Sequence, residues 1–510
     1  MKYSLFVILF LSFHYSFAQK ITYAAEGSQP LLKSGFNIIG KIDNQYLVHI
    51  GHYVNSMSAR DNFFTYDKSY FYLYNDNMQL VSAEKLDFKD DYYGIQFICY
   101  PKFAYMFYQY THDYHSYCSV IKIDSMGKVA GKPFKVAEME ISQVYSNTPV
   151  FNIAYSEDKN KIAVFSVENS RHAHVLKLYI LNTGLKRIDE KEFQMEKMGP
   201  HEILTEFKVT NKGDFVFLKE NEDNYGDPFK YILNYTLFNS SELVRYNITP
   251  HKLFLNKPAI NIDNKKNEFT IFSFFADSSL NILADDISIA KAIGQTGVYY
   301  LKWSIDSGKL QGGHVIPFEN FIDADSVTPE FSRLAVQSLV LQHYYRKSSN
   351  GFLLQGTSVY PNTYKSNFET WQNAADNNQL QFLNYDSLDF SVHINRQNEK
   401  EYRNENLLFY LFDDSGYLSK FSSINRYKPS SNILINSRDG IHCLFFYNHG
   451  RNYAADHYLI RNSGEISKLP PLDNIGDHEI ISTGSLQVDQ RELIFPFIYG
   501  HKLNFGKMEF

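Results

Sequence analysis

The chain has 510 residues, of which 44% are hydrophobic and 16% aromatic, so it is long enough to bury a large core. Phe (42) and Tyr (39) far outnumber Trp (2), and because Phe and Tyr favour strands, this composition indicates a β-rich fold. The formal net charge of −6 argues against the basic surface that nucleic-acid binding needs, so we expect no nucleic-acid partner.

Residues 1–18 have the organisation of a secretory signal peptide. Lys2 provides the positive start, an apolar run extends from Leu5 to Leu11, and Ser16 and Ala18 place small residues before a cleavage point. This run is much shorter than the roughly 20 residues of a spanning helix, and no later stretch is apolar enough to cross a bilayer. We therefore expect cleavage after Ala18 and a secreted or periplasmic protein without a membrane span.

A short phrase recurs through the rest of the chain: an apolar strand, a turn of Asx, Ser and Gly, and a second strand of mixed polarity. Neighbouring turns lie about 50–65 residues apart, except for one wide gap between residues 307 and 415. An Asx side chain can bond its own backbone, and Gly can take the positive φ that closes such a hairpin. The turns are centred at Asp76, Ser125, Thr183, Ser240, Ser307, Ser415 and Ser463.

A second, more apolar hairpin lies between neighbouring turns. In residues 151–167, strands at 151–155 and 161–167 flank a turn at 156–160. Further copies occupy residues 38–52, 207–218, 260–275 and 433–447. Four antiparallel strands per repeat predict β-propeller blades, each with an apolar inner pair and a more polar outer pair.

Residues 155–164 (Tyr-Ser-Glu-Asp-Lys-Asn-Lys-Ile-Ala-Val) resemble the strand–turn–strand core of TolB-like propeller repeats. Residues 306–310 and 413–418 resemble the outer hairpin of the same kind of blade, which is related to WD-type blades. Glu157-Asp158-Lys159 replaces the usual Pro-Asp-Gly centre. The resemblance implies an all-β propeller and points to no particular functional family.

Seven complete two-hairpin units can be counted, followed by an inner hairpin at 481–499 and a third strand at 501–510. Residues 20–25 can supply the missing fourth strand, which would close an eight-bladed ring through the two ends of the chain. Residues 19–510 would then form one propeller domain with about 60 residues per blade. Seven blades, or a pair of β-sandwiches, are the alternatives.

Two insertions interrupt the repeat, at about 277–297 and 361–404. The first could contain a short helix over 283–293; the second is polar and rich in Asn and Gln. Long connections of this kind either carry function or decorate the fold.

Three cysteines, Cys99, Cys118 and Cys443, are present. Cys99 and Cys118 would lie two strands apart, about 9–10 Å, which is too far for a disulfide. We expect all three to act as small buried hydrophobes.

Candidate ligand-binding residues lie on the loops that join second to third strands, because these loops emerge on one face of a propeller. His172 and His174, or His112 and His115, could ligate a metal, although a polar strand edge explains them as well. The acidic residues between 220 and 227 lack the spacing of a calcium loop. The candidates are His112, Asp113, His115, Arg171, His172, His174, Glu222, Asp223, Asp227, His449 and Arg451.

No strong catalytic motif is present and no cofactor is indicated, while the sequence leaves open whether a metal is bound. We therefore expect an exported binding or scaffold module that recognises a protein or a glycan through its loop face. The alternative is an extracellular enzyme that acts on glycan or peptide with acid–base residues on that face. The sequence leaves the oligomeric state open.

Overall fold

The computed structural model describes the strands of the propeller and most of the short turns between them. The described residues are 20–25, 34–54, 65–86, 88, 91–140, 150–169, 173–196, 203–221, 230–277, 296–320, 339–346, 351–358, 406–413, 416–425, 431–449, 452–482, 484–500 and 502–510. These residues form 33 strands and one short 3₁₀ helix at Phe318–Asn320. Within these ranges no helix has the length and apolar character needed to cross a membrane.

The first strand in the described part of the chain, β1, has only four residues and pairs with the last strand, β33, rather than with β2. The bounds of β1 to β17 are β1 Lys20–Tyr23, β2 Ser34–Ile42, β3 Gln45–Val54, β4 Thr65–Tyr74, β5 Leu80–Leu86, β6 Tyr93–Tyr100, β7 Phe103–His112, β8 His115–Ile123, β9 Val129–Glu140, β10 Phe151–Tyr155, β11 Lys161–Asn169, β12 Ala173–Asn182, β13 Arg187–Glu196, β14 Ile203–Val209, β15 Phe215–Asn221, β16 Lys230–Thr236 and β17 Val244–Asn247.

The second half of the chain continues the same succession of strands. The bounds of β18 to β33 are β18 Leu253–Asp263, β19 Glu268–Asp277, β20 Thr296–Ser304, β21 Lys309–Pro317, β22 Leu339–Arg346, β23 Phe352–Ser358, β24 Asn406–Phe412, β25 Leu418–Asn425, β26 Ser431–Asn436, β27 Gly440–His449, β28 Asn452–Arg461, β29 Ile466–Gly476, β30 Glu479–Ile480, β31 Leu486–Asp489, β32 Glu492–Tyr499 and β33 Lys502–Glu509.

Strands β2 to β29 form seven four-stranded antiparallel sheets in simple chain order, which we call blades one to seven. Blade eight has the order β1-β33-β32-β30, with β31 also paired to β32, so its innermost strand is split in two. Strand β1 completes this blade by pairing antiparallel with β33, from Lys20 opposite Glu509 to Tyr23 opposite Gly506. The predicted all-β propeller with eight blades and closure between the N- and C-terminal strands is confirmed.

Eight apolar clusters hold the ring together, one between each pair of neighbouring blades, including blades eight and one. Alternate residues of an inner strand enter different clusters. On β11, Ala163 and Phe165 face blade four, whereas Ile162 and Val164 face blade two. Because both faces of such a strand are buried, the inner hairpins appear in the sequence as continuous apolar runs.

The ends of the strands define two faces of the propeller. The turns inside the inner and outer hairpins lie on one face, here called the hairpin face. The connections between second and third strands, and those between blades, lie on the other, here called the loop face. The predicted insertions come after β19 and β23 in the chain. Residues 278–295, with the helix expected at 283–293, and residues 361–404 lie outside the described ranges.

The cysteines are free thiols in the structure. Cys118 and Cys443 are buried, while Cys99 is only partly buried. Cys99 lies on β6 and Cys118 on β8, two strands apart in blade two as predicted.

Candidate functional site

Three inner turns of the hairpin face make contacts with one another. The backbone N–H of Asp158 in blade three donates to the side chain of Asn211 in blade four, at 3.1 Å. The N–H of Asn211 donates to Asn264 in blade five at 2.7 Å, and Asn264 reaches Glu157 in blade three at 2.9 Å. The inner turns of blades three, four and five are thus tied together and contribute to the packing of the ring.

The loop-face turn of blade two carries three of the predicted residues. Strand β7 ends at His112 and β8 begins at His115, so Asp113 and Tyr114 form a two-residue turn. Both have positive φ (46° and 62°), as a tight hairpin with the right-handed twist of its strands requires. His112 Nε2 lies 3.3 Å from the Asp113 carboxylate, and His115 Nδ1 lies 2.9 Å from the Asp113 carbonyl oxygen. The structure therefore brings His112, Asp113 and His115 together.

A row of aromatic rings leads from the seam between blades one and two to this turn. Phe88 packs on Tyr108 with ring centroids 4.5 Å apart, and Tyr108 stacks on Tyr110 at 6.1 Å. Tyr110 stacks on Tyr117, its direct cross-strand partner, at 5.1 Å. Tyr108 is buried, whereas Tyr110 and Tyr117 are partly exposed, so the row starts in the core and ends at the surface.

The outer part of this surface carries balanced charges. The Lys135 ammonium lies 2.5 Å from the Glu138 carboxylate and 5.5 Å from the centre of the Tyr117 ring. The Glu138 carboxylate beside Lys135 raises the pKa of Lys135, and the ammonium lowers the pKa of Glu138. We call the surface formed by Tyr110, Asp113, His115, Tyr117 and Lys135 the blade-two platform; it combines flat aromatic rings with hydrogen-bonding groups.

The remaining predicted residues are not joined to the platform in the described structure. His174 lies on β12 of blade three, and its side chain is buried. His449 is the last residue of β27 in blade seven, and only its backbone is described. Arg171, His172, Glu222, Asp223, Asp227 and Arg451 lie outside the described ranges, so their roles stay predictions.

Sequence reasoning found the turn of blade two but missed Tyr110 and Tyr117. The available signal is the alternation of Tyr108 and Tyr110 before a two-residue turn, with Tyr117 beyond it. In a hairpin with that turn, Tyr110 and Tyr117 fall directly opposite each other. The position of Lys135 on the neighbouring strand depends on irregular pairing of β8 with β9, which the sequence does not reveal.

A serine–histidine pair inside blade one has the components of a nucleophile and its base. His49 Nε2 lies 2.9 Å from Ser69 Oγ, Asn37 lies 3.4 Å from His49 Nδ1, and the Tyr92 hydroxyl also donates to Ser69. Both His49 and Ser69 are fully buried, and burial lowers the pKa of His49 to about 3. Since a substrate could not reach Ser69, we interpret this set as a buried hydrogen-bond network.

A carboxylate cluster joins blades one and eight on the hairpin face. Ligand oxygens of Asp76, Glu492 and Glu509 lie within 4.8 Å of one another. Lys507 lies 2.6 Å from Asp76 and 3.0 Å from Glu509, while Lys41 lies 2.6 Å from Glu492. Lys20 lies 3.6 Å from Glu509, so three ammonium groups face the three carboxylates and the cluster is an ion-pair network at the ring closure.

Comparisons with known proteins find no matching family and no matching curated protein. Among solved structures, a prolyl endopeptidase is similar at 8% identity and a TM-score of 0.41, over 92% of this chain and 55% of its own. Prolyl oligopeptidase B from Galerina marginata is similar at 9% identity and a TM-score of 0.41, over 91% of this chain and 56% of its own.

An oligogalacturonate lyase solved with manganese is similar at 8% identity and a TM-score of 0.38, over 96% of this chain and 97% of its own. The present chain spans little more than half the length of the prolyl peptidases. These likenesses are too distant to carry an inference about activity or ligand.

Proposed function

We propose that this protein is an exported binding module that recognises a glycan through its loop face, with the blade-two platform as the contact surface. The observation that carries the proposal is the partly exposed stack of Tyr110 and Tyr117 beside the His112–Asp113–His115 turn. Tyrosine offers a flat apolar ring with a polar tip, which suits a ligand that has both apolar faces and hydroxyl groups.

The charge balance of the platform favours a neutral ligand. The Lys135 ammonium is paired with the Glu138 carboxylate, and the Asp113 carboxylate lies 3.3 Å from Nε2 of His112. A strongly anionic or cationic ligand would have to separate these pairs, whereas neutral hydroxyl groups can accept and donate hydrogen bonds beside them.

The test is isothermal titration of the mature protein with a panel of neutral oligosaccharides. Tyr117→Ala should weaken the binding of a positive saccharide by about tenfold or more, since removal of a central aromatic contact typically costs more than 1 kcal/mol. Tyr155→Ala, at an exposed tyrosine on the hairpin face, is the matched control and should leave affinity unchanged.

Two results would contradict the proposal: no binding by any neutral saccharide, or equal losses in both variants. The enzyme alternative gives a distinct result, because the bound saccharide would then be cleaved and Asp113→Asn would abolish cleavage more than binding.

A further inference from the structure

A second surface with the character of a binding site lies on the hairpin face, between blades one and two. A groove of about 420 Å³ opens there between β4 and β5 on one side and the outer turn of blade two on the other. Its volume lies within the roughly 300–1,000 Å³ of typical ligand pockets. We call it the edge groove.

The edge groove has apolar side chains at its base and on each wall, with polar side chains of Gln45, Ser82 and Ser125 between them. Leu73 at the base is fully buried, while Val81 and Met126 on the walls are 52% and 59% exposed. Single exposed hydrophobic residues are ordinary, but two exposed apolar side chains, Val81 and Met126, that line one groove indicate an interaction surface.

The walls are held in place by contacts between the two blades. Ser82 Oγ donates to the Met126 carbonyl oxygen at 2.9 Å. Gly127 lies so near β4 that an added methyl carbon would be 3.3 Å from the Leu73 Cβ. The groove is therefore fixed by the packing of blade two on blade one.

Strand β5 borders the edge groove and is the outermost strand of its sheet, paired with β4 within the described residues. The unpaired backbone groups of such an edge can pair with a strand of another chain, and proteins prevent this with proline, charged residues or a short edge strand. Strand β9 carries Pro133, β29 carries Pro470 and Pro471, and β17 has only four residues. The first half of β5, Leu-Val-Ser-Ala, has none of these features.

The charges at the edge groove define what could occupy it. Asp43 and Lys128 both line it, and neither has an ion-pair partner in the part of the chain that the structure describes. A complementary occupant must supply both a positive and a negative group around an apolar centre. A peptide segment can do so, whereas a lipid tail or a neutral saccharide cannot.

We propose that the edge groove binds an extended peptide segment of a partner protein, which adds as a strand to β5 and places an apolar side chain between Val81 and Met126. In this mode the open backbone groups of β5 supply affinity, and the groove supplies specificity through alternate side chains. The site lies on the face opposite the blade-two platform and does not depend on the function proposed for that platform.

The test uses fluorescent heptapeptides in which valine alternates with threonine, with lysine at one end and aspartate at the other, in both orders. Fluorescence anisotropy should show saturable binding that Val81→Lys weakens by about tenfold or more, because a charge on the edge opposes strand addition. Leu310→Lys is the matched control, since Leu310 is an exposed apolar residue near the start of the edge strand β21. This variant should bind the peptides with the affinity of the wild-type protein.

Hydrogen exchange should show greater protection of the amides of β5 when the peptide is bound, as a new strand requires. Equal weakening by Val81→Lys and Leu310→Lys would overturn the proposal, as would failure of every peptide to bind. A dimer that forms with rising concentration and is lost in Val81→Lys would also overturn it, because the occupant would then be a second copy of this chain.

Discussion

Two buried histidines lie side by side in blade seven. His442 and His457 lie on β27 and β28, with Nδ1 of His442 2.8 Å from Nε2 of His457 and their rings stacked at 5.0 Å. His442 Nε2 lies 3.4 Å from Asp439, and the ring of Phe510, the last residue, packs on His442 at 5.1 Å. His442 and His457 meet on the paired strands β27 and β28 of blade seven, whereas Phe510 reaches them from blade eight, a contact that the sequence does not reveal.

Burial keeps these histidines uncharged. Burial lowers the pKa of His442, although the Asp439 carboxylate acts in the opposite direction. Burial, together with the neighbouring His442, lowers the pKa of His457 to about 4. A histidine whose folded pKa lies below its unfolded value takes up a proton on unfolding. Its contribution to stability is therefore complete above about pH 6.5 and is lost as the pH falls toward 4.

We expect the urea midpoint of the wild-type protein to fall between pH 7 and pH 4.5, and that of His457→Gln to fall less. The difference should correspond to about 1–3 kcal/mol, since one pKa unit equals about 1.4 kcal/mol. His112→Gln, at an exposed histidine, should follow the wild-type curve. Parallel curves for wild type and His457→Gln would show that this pair does not titrate as its burial implies.

At the scale of the element, the outer hairpin turns have a role that their composition alone does not reveal. The Asx residue closes the turn as predicted: Asp124 Oδ1 accepts the N–H groups of Met126 and Lys128, each at 2.9 Å. The glycine that follows has positive φ in blades two, five, six and seven, at Gly127, Gly308, Gly416 and Gly464. In blade three, however, Leu185 takes the positive φ in place of the neighbouring Gly184.

These turns also pack each blade on the one before it. Gly127 of blade two lies against Leu73 of blade one, Gly416 of blade six against Tyr300 of blade five, and Gly464 of blade seven against Leu411 of blade six. A side chain on the glycine would occupy the space of the preceding blade. The repeated phrase thus reflects contact between blades as well as the shape of the turn.

Gly416→Ala should be markedly more destabilising than Gly131→Ala. Both glycines have φ near +84°, so both variants incur the backbone strain of about 1–2 kcal/mol. A methyl group at Gly416 would also overlap the ring of Tyr300, whereas the space around Gly131 is open within 4 Å. The overlap should add about 1–3 kcal/mol, measured as the difference between the two urea midpoints. Equal losses would assign the effect to backbone strain alone.

At the scale of the whole molecule, the number of blades and the ring closure were predictable because both follow from periodicity. Each apolar hairpin and each Asx turn marks a fixed place in a blade, and the incomplete last unit requires a strand from elsewhere. The chemistry of the seams was not predictable in this way. Lys507, in the short segment Asn-Phe-Gly-Lys-Met, gives no sign that its ammonium crosses to blade one.

At the seam between blades eight and one, an outer turn again contacts the preceding blade, but here the contact is made by charged groups. The outer turn of blade one places Asp76 2.6 Å from Lys507 of blade eight, whose side chain is only 1% exposed. Burial alone would lower the pKa of Lys507, but its hydrogen bonds to Asp76 and Glu509 outweigh burial and raise it. The ammonium is therefore charged and balances carboxylates from both blades.

Lys507→Met should destabilise the protein mainly at the closing seam. The variant keeps the volume of the side chain but leaves Asp76 and Glu509 without their shared cation. We expect a loss of about 2–3 kcal/mol, less than for a fully buried pair because the Asp76 side chain is 62% exposed. Hydrogen exchange should accelerate in β33 and β1, where the ring closes, before it accelerates in blade three.

The matched control is Lys191→Met, which removes a similarly buried lysine at another seam. Lys191 lies 3.1 Å from Asp189 in blade three and donates to the Leu237 carbonyl oxygen in blade four. Its loss should speed exchange near that seam and leave β33 and β1 protected. If Lys191→Met accelerated hydrogen exchange in β33 as much as Lys507→Met, the ring would unfold as one cooperative unit. The ion pairs of Lys507 would then not stabilise the closing seam specifically.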